Sequence, residues 1–262
     1  MKIMQLGKSA AIPAQGQFNV SYVIDVADQK MLIDTPPSLM VQLNHAHIVP
    51  EDIDWIFITH QHGDHLLGLP MLLVAGYIVC PDKVWRIIAS ESLITHIRNL
   101  IHIVYPELIE KSSFFTDNIR FFPITDPAIF SMMLTDTLSI RTAPTIHGVP
   151  GTAMRVESAT TSVVYSADTD YSPAIVELAR HADLLIHEAA LGIDISLADK
   201  KNHSTVQQAA EVAQQAQCKE LWLTHLEHFS DEFLNDSILT AQQIYNGQTR
   251  IVPDFTWRLM TL

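Results

Sequence analysis

The segment ITHQHGDHLLGLP, Ile58–Pro70, places four metal-capable side chains within six residues, namely His60, His62, Asp64 and His65. An apolar run, Ile53–Ile58, leads into this segment and is broken only by Asp54. A second apolar run, Leu66–Val74, leads out of it. This pattern predicts a loop held between a buried strand and a helix, where loose solvent-facing histidines are less expected than ligands.

The bulk composition limits the classes of function. The chain has 262 residues, of which 48% are hydrophobic and 17% charged, so it can bury a sizeable core. Its formal net charge is −13, from 16 basic and 29 acidic residues. A general binder of nucleic acid or of anionic membranes carries a positive field, so this balance disfavours both classes.

The sequence shows no targeting or membrane signal. The N-terminal stretch after Lys2 has no sustained apolar run, unlike a signal peptide, and no segment approaches the length of a membrane span. Cys80 and Cys218 lie in unrelated apolar contexts, which favours free thiols in a reducing compartment. We therefore expect a cytoplasmic protein built as one domain, residues 1–262.

The hydrophobic pattern predicts alternating runs of strands and helices. Strands are predicted at Met1–Gln5, Asn19–Val26, Lys30–Asp34, Trp55–Thr59, near Ile78, Ile119–Pro123, Leu138–Ala143, Thr152–Glu157, Ser162–Ser166, Leu184–His187, Glu220–Thr224 and Thr256–Met260. Helices are predicted at Ser38–Ala46, Asp64–Ala75, Lys83–Ile103, Pro173–His181, Thr205–Ala216 and Asp231–Tyr245. This order favours an α/β fold, a four-layer αββα sandwich of two mixed β-sheets flanked by helices.

The polar candidates share one position relative to these strands. The loop 60–65, His147, Asp168 and His225 each lie just past a predicted strand. Loops at strand ends are where chemistry usually concentrates. Four strand ends that converge on one edge therefore predict a single site.

Metal chemistry explains this choice of side chains. Zinc and similar divalent ions take imidazole nitrogen and carboxylate oxygen, and catalytic sites leave one position open for water. His60 and His62 are two residues apart, so in an extended segment both point the same way. The loop can face two ions but lacks enough ligands for both, which calls for His147, Asp168 and His225. A carboxylate such as Asp168 can bridge two cations through its two oxygens.

The ordered set of motifs resembles a known family. HxHxDH followed by a downstream His, Asp and His is similar to the metallo-β-lactamase superfamily of binuclear metallohydrolases. Within it, THQHGDHLLGLP, SADT, LLIHEA, HST and LTH resemble the ribonuclease Z branch in order and spacing. The resemblance implies two divalent ions, Zn²⁺ or Mn²⁺. One would be held by His60, His62 and His147, the other by Asp64, His65 and His225, and Asp168 would bridge them.

Two further residues are candidates for catalysis. His203 directly precedes a predicted helix whose Ser204–Gln207 start fits a capping box, and a helix N-terminus suits a phosphate. The alternative is a structural histidine beside the cap. In the ribonuclease Z branch the matching histidine donates a proton to the leaving oxygen. By the same resemblance Glu188 would orient His203 or His225, with a buried ion pair at a strand end as the alternative.

The resemblance implies a phosphodiesterase, and its mechanism follows from the family. Water deprotonated by the two cations and steered by Asp64 would attack phosphorus, and His203 would protonate the leaving group. A carbonyl hydrolase acting on lactones or thioesters is an alternative enzyme. A non-catalytic metal or nucleotide sensor on the same fold is the alternative outside the enzymes.

The substrate is expected to be small. Bacterial ribonuclease Z enzymes insert a tRNA-gripping arm between the His and Asp motifs, whereas only the residues 148–167 separate His147 from Asp168 here. With the acidic charge, this favours a small or short nucleotide phosphodiester, cyclic phosphates included, over long nucleic acid. Lys200 and Lys201 could attract an anion or lie in a solvated loop. The apolar segment Trp85–Tyr105 is a candidate homodimer face or substrate cover.

Overall fold

The structure is a computed structural model that describes residues 1–198 and 200–260, without the side chains of Glu107, Leu108 and Lys111. Within these residues, two seven-stranded sheets are formed. The first contains β1 (Lys2–Gly7), β2 (Ser21–Val26), β3 (Gln29–Ile33), β4 (Trp55–Phe57), β5 (Trp85–Ser90), β6 (Ile119–Ile124) and β14 (Trp257–Leu259). Its order is β14-β1-β2-β3-β4-β5-β6, antiparallel from β14 to β3 and parallel from β3 to β6.

The second sheet repeats this mixed pattern. It contains β7 (Ser131–Thr135), β8 (Leu138–Pro144), β9 (Thr152–Ser158), β10 (Ser162–Tyr165), β11 (Leu184–Glu188), β12 (Glu220–Thr224) and β13 (Gln248–Arg250). Its order is β13-β12-β11-β10-β9-β8-β7, antiparallel from β7 to β10 and parallel from β10 to β13. Parallel strands need a crossover, and in both sheets the crossovers supply the flanking helices.

Helices cover the outer face of each sheet. The helices of the first half are α1 (Leu39–His45), α2 (Gly63–Leu66), α3 (Leu69–Val79), α4 (Glu91–Val104), α5 (Pro106–Lys111) and α6 (Phe114–Asp117). Those of the second half are α7 (Pro173–Leu178), α8 (Val206–Ala216) and α9 (Asp231–Gln242). Two short 3-10 turns add Pro50–Asp52 and Ile195–Leu197.

Three buried apolar clusters fill the gaps between these layers. The central cluster joins the two sheets through side chains such as Phe57, Tyr165 and Trp222. One outer cluster packs the first sheet against α1, α3 and α4, and the other packs the second sheet against α7, α8 and α9. The predicted αββα sandwich of two mixed sheets is therefore confirmed.

Several predicted boundaries are wrong between residues 76 and 135. The strand predicted near Ile78 is the end of α3, and the helix predicted at Lys83–Ile103 begins with a strand, β5, before α4 starts. Ile87, Ile88 and Ala89 are fully buried. A continuous apolar run of this kind suits a parallel strand and a buried helix equally, so periodicity does not separate them. Strands β7 and β13 and helices α5 and α6 were not predicted.

The carboxyl ends of the parallel strands define one edge of the sandwich. Strands β3, β4, β10, β11 and β12 all end there, and all the predicted ligands follow strands that end at this edge. Strands β9 and β10 with their turn fill the interval between His147 and Asp168, as the sequence spacing predicts. Among the described residues, no helix combines the length and apolarity needed to span a bilayer.

Candidate metal centre

Three strand ends turn sharply at this edge. Asp34 follows β3, Ala167 follows β10 and His225 follows β12, and their φ angles are 58°, 52° and 55°. A left-handed conformation costs an L-residue about 1–2 kcal/mol, so buried surroundings must hold it in place. All three residues are buried. The turns direct Asp34, Asp168 and His225 toward the shared edge.

Three imidazole nitrogens converge on one point of the edge. His62 Nδ1 lies 3.2 Å from His60 Nε2 and 3.0 Å from His147 Nε2. The opposite nitrogens of the flanking rings are committed elsewhere, because His60 Nδ1 pairs with Thr59 Oγ1 at 2.9 Å and His147 Nδ1 donates to the Asn202 carbonyl at 2.7 Å. These bonds leave the Nε2 atoms of His60 and His147 as hydrogen-bond acceptors. One proton on His62 Nδ1 cannot serve both acceptors well, whereas a bound cation can accept electron pairs from all three nitrogens.

A second group faces the first. His65 Nε2 lies 3.5 Å from Asp64 Oδ2, and His225 Nε2 lies 3.4 Å from the same oxygen. Asp168 Oδ2 lies 3.4 Å from His65 Nε2 and 3.3 Å from His225 Nε2. Two imidazole nitrogens therefore face two carboxylate oxygens at separations longer than good hydrogen bonds, a spacing that leaves room for a shared cation.

Asp168 lies between the two groups. Its Oδ2 is 3.6 Å from His60 Nε2 and 3.8 Å from His147 Nε2, in addition to its contacts with the second group. Its Oδ1 is buried and has no hydrogen-bond partner within the described part of the chain, and the same holds for His65 Nε2. One ligand atom each from His60, His62, His147 and Asp168 lies within 4.8 Å of the others, and so do those of Asp64, His65 and His225. The donor set fits two divalent ions.

A buried carboxylate beneath the site was missed at the sequence level. Asp34 Oδ2 accepts from His65 Nδ1 at 2.7 Å, and Asp34 Oδ1 accepts from the Thr59 amide at 2.8 Å. The Thr59 hydroxyl, 3.0 Å from the carboxylate, connects it to His60. One side chain thus orients a histidine of each group, a recurrent arrangement beneath metal ligands. An acidic residue directly after the buried strand β3, in LIDTPP, is the signal that could have identified it.

The electrostatics of the cluster favour bound cations. Burial lowers the pKa of His60 well below its ordinary value, so this ring is neutral and free to ligate. Burial alone would also lower the pKa of His65, but the carboxylates of Asp168 and Asp34 outweigh it and raise that pKa well above its ordinary value. Burial would raise the pKa of Asp168, yet His225 and His65 hold it well below its usual range. The centre therefore presents ionised carboxylates that attract positive charge.

Glu188 contacts His203 rather than His225. Its carboxylate is fully buried and accepts from His203 Nδ1 at 2.8 Å, from the Thr169 amide at 3.0 Å and from the Ala190 amide at 2.9 Å. Burial lowers the pKa of His203, but Glu188 outweighs it and raises that pKa to about 9. The ring stacks on His225 with 5.5 Å between centroids. His203 is therefore an oriented, cationic imidazole at the border of the cluster, with its side chain 29% exposed.

The helix behind His203 begins one residue later than predicted. Thr205, rather than Ser204, closes the capping box, in which it accepts from the Gln208 amide while Gln208 accepts from the Thr205 amide. The Ser204 hydroxyl instead donates to the Thr169 carbonyl at 2.7 Å. This bond ties the segment to Thr169, whose amide also donates to Glu188, and so fixes the position of His203.

Other histidines and lysines lie outside the cluster. His187 is buried, and its Nδ1 bonds to the Glu188 carbonyl. His228 packs edge-on against Phe233. Lys200 and Lys201 are exposed, as expected for a solvated loop.

Comparisons with known proteins place this site in context. The chain is 28% identical to ribonuclease Z of Bacillus cereus (strain B4264), over 97% of each protein. A metallo-β-lactamase fold protein from Bacillus subtilis, YhfI, superposes with a TM-score of 0.81 at 22% identity and covers 98% of both chains. The short form of human tRNase Z, ELAC1, superposes with a TM-score of 0.77 at 23% identity and covers both chains fully.

Fold, site and relatives together define a metal-dependent hydrolase of the metallo-β-lactamase superfamily, in its ribonuclease Z-like branch. The resemblance seen in the sequence is thereby confirmed. More narrowly, the family model described as "Anti-Pycsar protein Apyc1" matches residues 1–248, and the chain belongs to that family.

Proposed function

We propose that the protein is a binuclear metal-dependent phosphodiesterase that hydrolyses small or nucleotide-like phosphodiesters. The observation that carries the proposal is the convergence of seven ligand atoms on one edge, bordered by His203, whose Nδ1 is held by Glu188. The chain would act as one domain, including Asp199, Thr261 and Leu262, which lie outside the described residues. Its free Cys80 and Cys218 fit the cytoplasm.

The proposed ligands divide as the geometry suggests. His60, His62 and His147 would hold one ion, Asp64, His65 and His225 the other, and Asp168 would contact both. Zn²⁺ and Mn²⁺ both accept this mixture of nitrogen and oxygen ligands. When bound, such ions lower the pKa of water and offset negative charge on a phosphate.

The chain's own residues supply the rest of the chemistry. Burial would raise the pKa of Asp64, but the facing imidazoles of His225 and His65 outweigh it and lower that pKa, so Asp64 is ionised. Its carboxylate can accept a hydrogen bond from the attacking water and aim it at phosphorus. His203 holds one proton on Nδ1 against Glu188, so its Nε2 proton is available to the leaving oxygen.

Several observations support a small substrate. The interval between His147 and Asp168 is filled by β9 and β10 and leaves no space for an arm. The alignment with the Bacillus cereus ribonuclease Z spans 303 positions, more than the 262 residues of this chain, so that relative carries inserted residues. The net charge of −13 opposes a long polyanion.

Hydrolysis of a lactone or thioester is the second candidate, because the same metal ligands serve carbonyl chemistry. The pairing of His203 with buried Glu188 favours the phosphodiester, whose poor leaving alkoxide needs a proton. The test is a panel of phosphodiester, cyclic phosphate, lactone and thioester substrates, assayed with Zn²⁺ and with Mn²⁺. We expect turnover of the first two. Exclusive turnover of lactones or thioesters would replace the proposal with the carbonyl alternative.

A further inference from the structure

A cavity of about 400 Å³ opens directly beside the metal centre, and His62 forms part of its wall. The loop before α2, the segment joining α2 to α3, helix α4 and the loop after β8 all contribute to it. We call its outer wall, Leu67, His96, Leu100 and Val149, the α4 shelf. Since His62 belongs to both the cluster and this cavity, the cavity adjoins the metal centre.

The α4 shelf is apolar and accessible. Leu67 is 52% exposed, and Leu100 and Val149 are half-buried. His96 projects from the exposed face of α4 and contributes a flat ring. Among the residues that the structure describes, those lining this cavity include two histidines but no side chain with a carboxylate or ammonium group. Such a wall favours a flat apolar group over a charged one.

We propose that the α4 shelf is the specificity site for the substrate and binds a flat, apolar group carried by the sugar that the phosphate esterifies, with the His96 ring stacked on it. The inference rests on the proposed phosphodiesterase function and adds the residues that select among phosphodiesters. A cavity of about 400 Å³ lies within the range of small-molecule sites, roughly 300–1,000 Å³.

The test compares two substrates with the same reacting ring. One is an adenosine cyclic phosphate, and the other is the methyl riboside cyclic phosphate that lacks the base. His96→Ala should raise KM for the adenosine compound about fivefold, the effect of losing a partial base–ring stack, and leave kcat unchanged. KM for the base-free compound should not change. His96→Trp, which enlarges the flat surface, should lower KM for the adenosine compound only.

His102→Ala is the matched control, since it removes another exposed histidine of α4 that lies outside the shelf. It should leave both KM values unchanged. The inference is overturned if His96→Ala changes both substrates equally, or if the wild-type protein does not distinguish them. If the wild-type protein cleaves neither substrate, nor any other phosphodiester, the proposed function itself fails and the shelf proposal with it.

Discussion

Replacing Asp34 by asparagine should weaken metal binding although Asp34 touches no ion in the proposed scheme. The side-chain oxygen of the new asparagine must occupy the Oδ1 position, because the Thr59 amide donates there at 2.8 Å. Its NH₂ group then faces His65 Nδ1, which in the wild-type protein lies 2.7 Å from an anionic oxygen. His65 can only accept from that NH₂ group, so its proton moves to Nε2. That is the nitrogen that faces Asp64 and Asp168, and a protonated nitrogen cannot ligate.

The size of the effect follows from this loss of orientation. Mutating an outer partner of a metal-binding histidine typically weakens metal binding about 10- to 100-fold, or about 1.4–2.7 kcal/mol. The ion next to His65 should bear this loss. The ion next to His60 should be affected less. The Thr59 hydroxyl can still donate to the amide oxygen of the asparagine, so it still positions His60. Asp34→Asn should therefore weaken the binding of the ion next to His65 more than that of the ion next to His60.

Competition between the protein and a chromogenic zinc chelator measures these affinities. Asp54→Asn is the matched control, since Asp54 also accepts a backbone N–H, from Lys30 at 2.8 Å, but makes no contact with the cluster. The control should bind zinc as the wild-type protein does. Unchanged affinity in Asp34→Asn, or an equal loss at both ions, would refute the orienting role assigned to Asp34.

Two further predictions concern turnover and substrate size. His203→Ala should keep both metals, yet lower kcat about 10²- to 10⁴-fold on esters with alkoxide leaving groups and much less on p-nitrophenyl esters, as steady-state kinetics on both would show. Equal losses on the two ester types would exclude a general acid, and loss of one metal would make His203 a ligand. Precursor tRNA should bind weakly at physiological salt in a filter-binding assay, whereas small phosphodiesters are cleaved. Efficient 3′ processing of that RNA at micromolar concentration would contradict the small-substrate assignment.

The sequence predicts the candidate metal ligands better than it predicts Asp34, the buried residue that orients them. The loop from His60 to His65 and the later ligands each follow an apolar run, so their position at strand ends could be predicted from hydrophobicity alone. Asp34 could not be placed in this way. Its role depends on a left-handed turn and on a hydrogen bond with Thr59, which lies 25 residues away. The hydrophobic pattern of the sequence predicts neither of these features.

The region from Gly76 to Ser90 shows a second limit. A side chain at Gly76 would collide with the indole of Trp85, so α3 packs closely on β5 and continues past Ile78. Only this tertiary contact decides where the helix ends and the strand begins. The Ser90 hydroxyl then accepts from the Leu93 amide and starts α4, a cap visible in the sequence only once the strand before it is known.

Metal-dependent activity is the most direct test of the two-ion centre. Zn²⁺ should be added stepwise to metal-free protein while the initial rate on bis(p-nitrophenyl) phosphate is recorded, with His62→Ala as the variant that lacks one ligand. The rate should be negligible without metal and reach its plateau at about two equivalents, the number that the seven ligands hold with one position open for water. The variant should lose metal and activity together. Activity that persists in excess chelator, or a plateau at one equivalent, would contradict the binuclear centre.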